Sequence, residues 1–163
     1  MKKICFVGFM GSGKTSVGKA LAEHLHEKWV DLDEYIVNKK GKTISHIFQE
    51  EGEVAFRNIE SQCLEELLYS EYHIISTGGG VITSPSNVER LKQVETIYLE
   101  YPFDILYERI KGDTTRPLVT TYEALHKRFL DRQALYEAAS SLSIACEGKS
   151  INAIVEEIIR KLK

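Results

Sequence analysis

Cysteine is scarce in this chain of 163 residues: Cys5, Cys63 and Cys146 are odd in number, far apart and free of any C-x-x-C pair. That excludes a disulfide framework, and five histidines with no H-E-x-x-H give no zinc site, so buried thiols in a reducing cytosol are expected. Long hydrophobic runs are missing as well. No apolar stretch approaches the ~20 residues of a membrane span. The two lysines at the start precede an apolar run too short, too broken by glycine and too poor in cleavage-site residues for a signal peptide. A soluble, cytoplasmic chain with no membrane partner is the expectation. A basic surplus is absent too: 21 Lys and Arg against 24 Asp and Glu leave a formal charge of −3. With no Lys/Arg run interleaved with aromatics, no nucleic acid partner is expected. There is no internal repeat, low-complexity tract or linker, and the length suits one domain with a full hydrophobic core and is too short for two ordinary domains, so residues 1–163 read as a single domain. A monomer is the default expectation.

Against these absences one segment stands out. Gly8-Phe-Met-Gly-Ser-Gly-Lys-Thr15 fits G-x-x-x-x-G-K-[ST], follows a short apolar run over 3–7 that reads as a buried strand, and leads straight into a helical pattern over 16–25. Glycines at 8, 11 and 13 let the backbone turn its N–H groups inward at the positive end of a helix dipole, a cradle for phosphate oxygens. In such a loop Gly11, Ser12, Gly13 and Ser16 border the phosphates, Lys14 reaches the β and γ phosphates, and the Thr15 hydroxyl ligates Mg2+. Nucleoside triphosphate binding is the expectation.

Further along, residues 29–33 read as a second strand, followed by a short helix with a basic last turn closed by Gly41. Thr43 starts another helix ending near Gly52, and a longer amphipathic one carries Phe56, Ile59, Cys63, Leu64, Leu67 and Leu68 at helical spacing. A third strand over 73–77 runs into Gly78-Gly79-Gly80, and a fourth over 96–100 precedes Pro102, which opens a helix to about residue 111. Residues 111 to 121 are polar and aperiodic, as suits a mobile lid. A helix over 122–137, a last strand over 142–145 and a helix from about 150 complete the chain. Alternating strands and helices predict an α/β fold with a five-stranded parallel sheet covered on both faces.

Beyond the loop the candidate residues are polar and dispersed. Asp31 and Asp33, two apart at the end of a strand, would point to one side near the carboxyl ends where ligands of open α/β sheets bind. Mg2+ would relieve their repulsion, leaving the second carboxylate for a substrate hydroxyl; the spacing equally admits a helix N-cap or a solvated turn. Arg57 with Glu60 one turn later has the spacing of a surface ion pair, and Arg132 with Tyr136 is an i,i+4 pair. The three glycines at 78–80 mark a place where backbone must come close to something. Arg116, in the lid, is placed to close over a triphosphate and offset charge on the transferring phosphoryl group. No later strand ends in the usual apolar run plus Asp, so Asp31 is the best substitute.

Taken together, the phosphate loop, Asp31-Leu-Asp33, Phe56-Arg57-Asn-Ile-Glu60, Gly78-Gly79-Gly80, Arg116-Pro117-Leu118 and Arg132-Gln-Ala-Leu-Tyr136 come in the order and spacing of a shikimate kinase. The resemblance extends over essentially the whole chain. It implies a P-loop kinase of the nucleoside-monophosphate-kinase type, with a substrate region over about 33–60 and a lid over about 112–121. It further implies ATP and Mg2+ as cofactors, shikimate as acceptor and phosphorylation of the acceptor's 3-hydroxyl. By the same resemblance Asp33, Arg57, Gly79 and Arg132, with the flanking Gly78 and Gly80, hold shikimate. Lys14 and Arg116 hold the phosphates, Thr15 and Asp31 serve the metal, and Arg109 with Pro117 faces the adenine. Two departures stand out: the segment between Arg116 and the next helix is shorter than in many members, and Glu147-Gly-Lys-Ser150 has no proline where members often carry a further adenine contact. A gluconate or other small hydroxy-acid kinase and a non-catalytic ATP-binding module are the rival readings.

Overall fold

The computed structural model describes residues 2–112 and 120–163. Arg116, Pro117 and most of the expected lid lie outside the described residues. In chain order the elements are β1 (Ile4–Val7), α1 (Lys14–Leu25), β2 (Trp29–Asp31), α2 (Leu32–Lys40), α3 (Ile44–Leu68), β3 (Ile74–Ser76), α4 (Pro85–Lys92), β4 (Glu95–Glu100), α5 (Phe103–Lys111), α6 (Tyr122–Ala139), β5 (Leu142–Ala145) and α7 (Ile151–Leu162). A single 3₁₀ turn, Val81–Thr83, precedes α4.

All strand pairings are parallel, in the order β2-β3-β1-β4-β5. Both faces of this sheet are covered, and β1 shows how. Its alternate residues Cys5 and Val7 join the core beneath α2, α3 and α6, while Ile4 and Phe6 join the opposite core with Val17 and Leu21 of α1 and Ile154 and Ile158 of α7. A strand buried on both sides reads as an unbroken apolar run, which is why period-2 alternation is invisible in Ile-Cys-Phe-Val. Because β1 lies between β3 and β4, the loop leaving its carboxyl end opens at the switch point of the sheet, the usual ligand position in such folds.

Several local expectations change. The strand expected over 29–33 stops at Asp31, because the Asp31 carboxylate accepts a hydrogen bond from the Glu34 N–H and so caps α2, placing Asp33 in the first helical turn. Asp31 and Asp33 therefore do not share a strand face. The break expected near Gly52 is present, by contrast: α3 consists of two helical halves that meet at a kink where Gly52 takes the non-helical φ 87° and ψ 172°. Helix α4 had no counterpart in the sequence reading. Its buried face holds only Asn87, Val88 and Leu91, and Asn87 is tied inward by donating to the Val81 carbonyl, so the segment is too short and too polar overall to register. All three cysteines are free and buried. Among the described residues no helix is long and apolar enough to cross a membrane.

Candidate active site

The turn after β1 is closed by a hydrogen bond from the Ser12 N–H to the Phe9 carbonyl, and Gly13, at φ 84°, is the left-handed residue from which α1 starts. Lys14, Thr15 and Ser16 thus occupy the first turn of α1, where helix N–H groups lack intrahelical acceptors and the dipole favours an anion. The Lys14 ammonium folds over the turn, donating to the Gly8 carbonyl at 2.6 Å and the Phe9 carbonyl at 3.1 Å. Ser12 is buried and its hydroxyl has no hydrogen-bond partner among the described residues. A cationic head, a helix N-terminus and an orphaned hydroxyl around one glycine turn fit a polyphosphate. Arg109 props this turn from α5: it donates to the Gly11 carbonyl at 2.8 Å and its guanidinium carbon lies 4.3 Å from the centre of the Tyr101 ring.

Behind the loop, β2 and β3 supply a hydroxyl and carboxylate layer. The Thr15 hydroxyl donates to Asp31 Oδ2 at 2.7 Å, while Asp31 Oδ1 takes the Glu34 N–H at 3.1 Å. Both readings of Asp31 are thus realised at once, one oxygen capping the helix and the other meeting Thr15. The Thr15 and Asp31 oxygens form a pair of hard donors that fits Mg2+, a cation that keeps most of its waters and takes few protein ligands. Among the described residues no cluster of three or more His, Cys, Asp or Glu side chains is placed to hold a metal. From β3, the Ser76 hydroxyl donates to the Lys14 carbonyl at 2.7 Å and itself receives the Trp29 indole N–H at 2.9 Å.

Two cavities meet here. One, of about 250 Å³, is bordered by Gly11 to Thr15, Asp31 and Thr77. The second, of about 230 Å³, is bordered by Arg57, Glu60, Gly80, Arg128 and Arg132, with Phe48 and Phe56 on its apolar side. Met10, Asp33, Gly78 and Gly79 belong to both and form the wall between them. Two of the three glycines lie close to site side chains: a Cβ on Gly78 would come within 2.9 Å of Asp33 Oδ1, and one on Gly80 within 2.4 Å of Arg57 Nη2, whereas one on Gly79 would make only ordinary contact with Met10 at 3.5 Å. Ser16 and Arg109 border neither cavity.

In the second cavity the Arg57–Glu60 pair is not the surface pair its spacing suggested. Arg57 Nη1 lies 2.9 Å from Glu60 Oε1, with Glu60 only 1% exposed. Arg57 Nε is buried with no hydrogen-bond partner among the described residues; Glu53 approaches it only to 3.8 Å. Burial holds the Glu60 carboxyl above its ordinary range, outweighing the attraction of Arg57, and the nearby Asp33 pushes the same way. Burial lowers the Arg132 pKa, with the Tyr136 hydroxyl opposing it and Arg128 and Arg57 adding to it. The Tyr136 hydroxyl, pushed up to about 12 by burial, donates to the Gly79 carbonyl at 2.5 Å and so pins the glycine turn.

Of the residues singled out from sequence, Gly11 to Thr15, Asp31, Asp33, Arg57, Gly78, Gly79, Gly80 and Arg132 border one or both cavities. Sequence reasoning passed over Met10, Thr77, Phe48 and Arg128. Only Arg128 left a signal, since it is one helical turn before Arg132 and shares its face.

Known proteins agree with this geometry. The family model described as Shikimate kinase matches residues 10–163. A shikimate kinase of Persephonella marina is 40% identical over 164 residues, covering all of both chains. One of Streptococcus gordonii is 44% identical, covering 99% of this chain and all of the relative. A solved shikimate kinase of Acinetobacter baumannii, in complex with shikimate, superposes with a TM-score of 0.92 at 35% identity, covering 99% of this chain and 93% of that one. Matching along its whole length in sequence and in fold, the chain belongs to the shikimate kinase family.

Proposed function

We propose that the chain transfers the γ-phosphoryl group of ATP to the 3-hydroxyl of shikimate, giving shikimate 3-phosphate and ADP, a step of aromatic amino-acid biosynthesis. The observation that carries the assignment of roles is the shared wall: Asp33 and Gly79 border both the phosphate cradle and the arginine-bearing cavity, so an acceptor in one faces a donor in the other. Gly11, Ser12, Gly13, Lys14 and Thr15 hold the polyphosphate, with Ser16 extending the helix N-terminus. Arg109 braces the loop beside the nucleotide base. Thr15 and Asp31 would hold Mg2+, which would neutralise charge on the polyphosphate.

A small acid with one carboxylate and several hydroxyls needs a fork-shaped cation and an acceptor for a hydroxyl proton. Arg57, with its orphaned Nε, and Arg132 provide the first. Asp33 provides the second. It orients the attacking hydroxyl and takes its proton as the new O–P bond forms and the bond to the β–γ bridging oxygen breaks. Lys14 balances charge on the transferring group and Arg116 shares that role, while Pro117 joins Arg109 at the adenine. A monomer in the cytoplasm is part of the proposal.

The test is ADP release from Mg-ATP with shikimate, gluconate, AMP or no acceptor. Turnover that depends on shikimate alone is expected, with Lys14→Ala lowering kcat by about a hundredfold or more. Turnover with gluconate and none with shikimate would replace the acceptor, and parent-like turnover by Lys14→Ala would remove the loop from the chemistry.

A further inference from the structure

Beside the acceptor cavity lies a third, of about 340 Å³, bordered by Thr83, Ala124, Lys127, Asp131 and Leu135. Arg128 and Arg132, one turn apart on α6, border both. The cavity is a vestibule, and Arg128 stands on the sill between it and the acceptor pocket. Charge on the two sides of the sill is unequal. Arg57 is engaged by Glu60, and burial with the neighbouring Arg128 and Arg57 acts on Arg132. Arg128 is exposed and makes no ion pair or hydrogen bond among the described residues. An uncompensated guanidinium at the mouth of a pocket raises the local concentration of small anions, and its forked geometry accepts a carboxylate directly.

We propose that Arg128 is a third cation for the acceptor, drawing its carboxylate through the vestibule and gripping it beside Arg57 and Arg132. This rests on the acceptor assignment made above. Arg128 is a substrate-binding residue: it sets how readily the acid is captured and leaves the phosphoryl transfer itself to other groups. Fields of this kind accelerate capture by roughly 10–10³ when several charges act together, so one of three cations accounts for about two- to tenfold.

The experiment measures kcat and KM for shikimate at saturating Mg-ATP between about 20 and 300 mM NaCl, for the parent, Arg128→Gln, Arg128→Lys and Arg160→Gln. Arg160, in the last turn of α7, belongs to the helix packed on α1 and makes the same change of net charge far from α6. Arg128→Gln is expected to raise KM about two- to tenfold with kcat nearly unchanged and to flatten the fall of kcat/KM with salt. Arg128→Lys recovers most of the loss, and Arg160→Gln matches the parent. Parent-like KM and salt dependence in Arg128→Gln overturn the proposal, as does an equal effect from Arg160→Gln. No turnover of shikimate by the parent removes the acceptor assignment itself, and this proposal with it.

Discussion

At the scale of single residues, the site is built from side chains that do two jobs at once, and variants can separate them. Asp31 caps α2 with one oxygen and meets the Thr15 hydroxyl with the other. Asn caps a helix as well as Asp does, so Asp31→Asn should leave the urea midpoint nearly unchanged, whereas Asp31→Ala should cost about 1 kcal/mol. Both should raise the Mg2+ concentration needed for half-maximal velocity. Equal midpoints for the two variants would contradict the capping role, and an unchanged Mg2+ titration would contradict the metal role. Arg57 likewise serves the cavity and neutralises the buried Glu60. Arg57→Ala should raise the shikimate KM by roughly ten- to a hundredfold, the loss of a charge-assisted bond of about 1.5–3 kcal/mol, with little change for ATP. It should also lower stability by leaving Glu60 buried without its cation, and Arg57→Ala/Glu60→Gln should restore the urea midpoint but not the KM. Recovery of both together would mean that Arg57 acts only through folding. The phosphate loop was legible at this scale because its chemistry is local: eight consecutive residues carry turn, cation and hydroxyl. The shared cavity of Arg57, Arg128 and Arg132 was not legible from spacing: the resemblance alone paired Arg57 with Arg132, and Arg128 joins them only where α3 and α6 border one cavity with the glycine turn.

Among the elements, α3 is the one whose shape matters most to the acceptor cavity. Its first half brings Ile44 and Phe48 to the cavity and its second half Phe56, Arg57 and Glu60, and the joint is Gly52 at φ 87° and ψ 172°. That backbone region is closed to residues with a Cβ, although nothing within 4 Å would obstruct the atom itself. Gly52→Ala should therefore cost roughly 1–3 kcal/mol from backbone strain alone, read in urea unfolding, and should raise the shikimate KM by misaligning the two halves. A fully stable variant with parent KM would show that the joint tolerates a straighter helix. Boundaries here were readable where the end signals are chemical: Thr43 and Ser150 cap α3 and α7 with their hydroxyls, and Gly41 closes α2. They were unreadable where one residue belongs to two elements. Asp31 ends β2 and begins α2, so a strand-period argument carried through to Asp33 fails at the point where the chain changes period.

For the whole molecule, one parallel sheet divides two cores, and each core holds thiols. Cys5 and Cys63 lie on the α3 side and Cys146 on the α7 side. Burial pushes the Cys5 thiol up to about 12 and that of Cys146 up to about 11, so neither offers thiolate at neutral pH. A chromogenic disulfide reagent should find no reactive thiol in the native protein and three after unfolding in urea, with native-state labelling set by the rate of opening. Rapid labelling of any one thiol would locate a part of the core that opens on its own. The parallel sheet and its cover on both faces were legible from the alternation of strand and helix; which core each residue of β1 faces was not, since a strand buried on both faces shows no alternation to read. A last consequence follows from the single tryptophan. Its indole N–H rests on the Ser76 hydroxyl, which in turn rests on the carbonyl of Lys14. Any shift of that first helical turn as phosphate arrives alters the indole's polar surroundings, so the chain carries a built-in optical gauge: occupancy of the nucleotide loop is readable as a change in intrinsic emission, with no dye and no coupled assay.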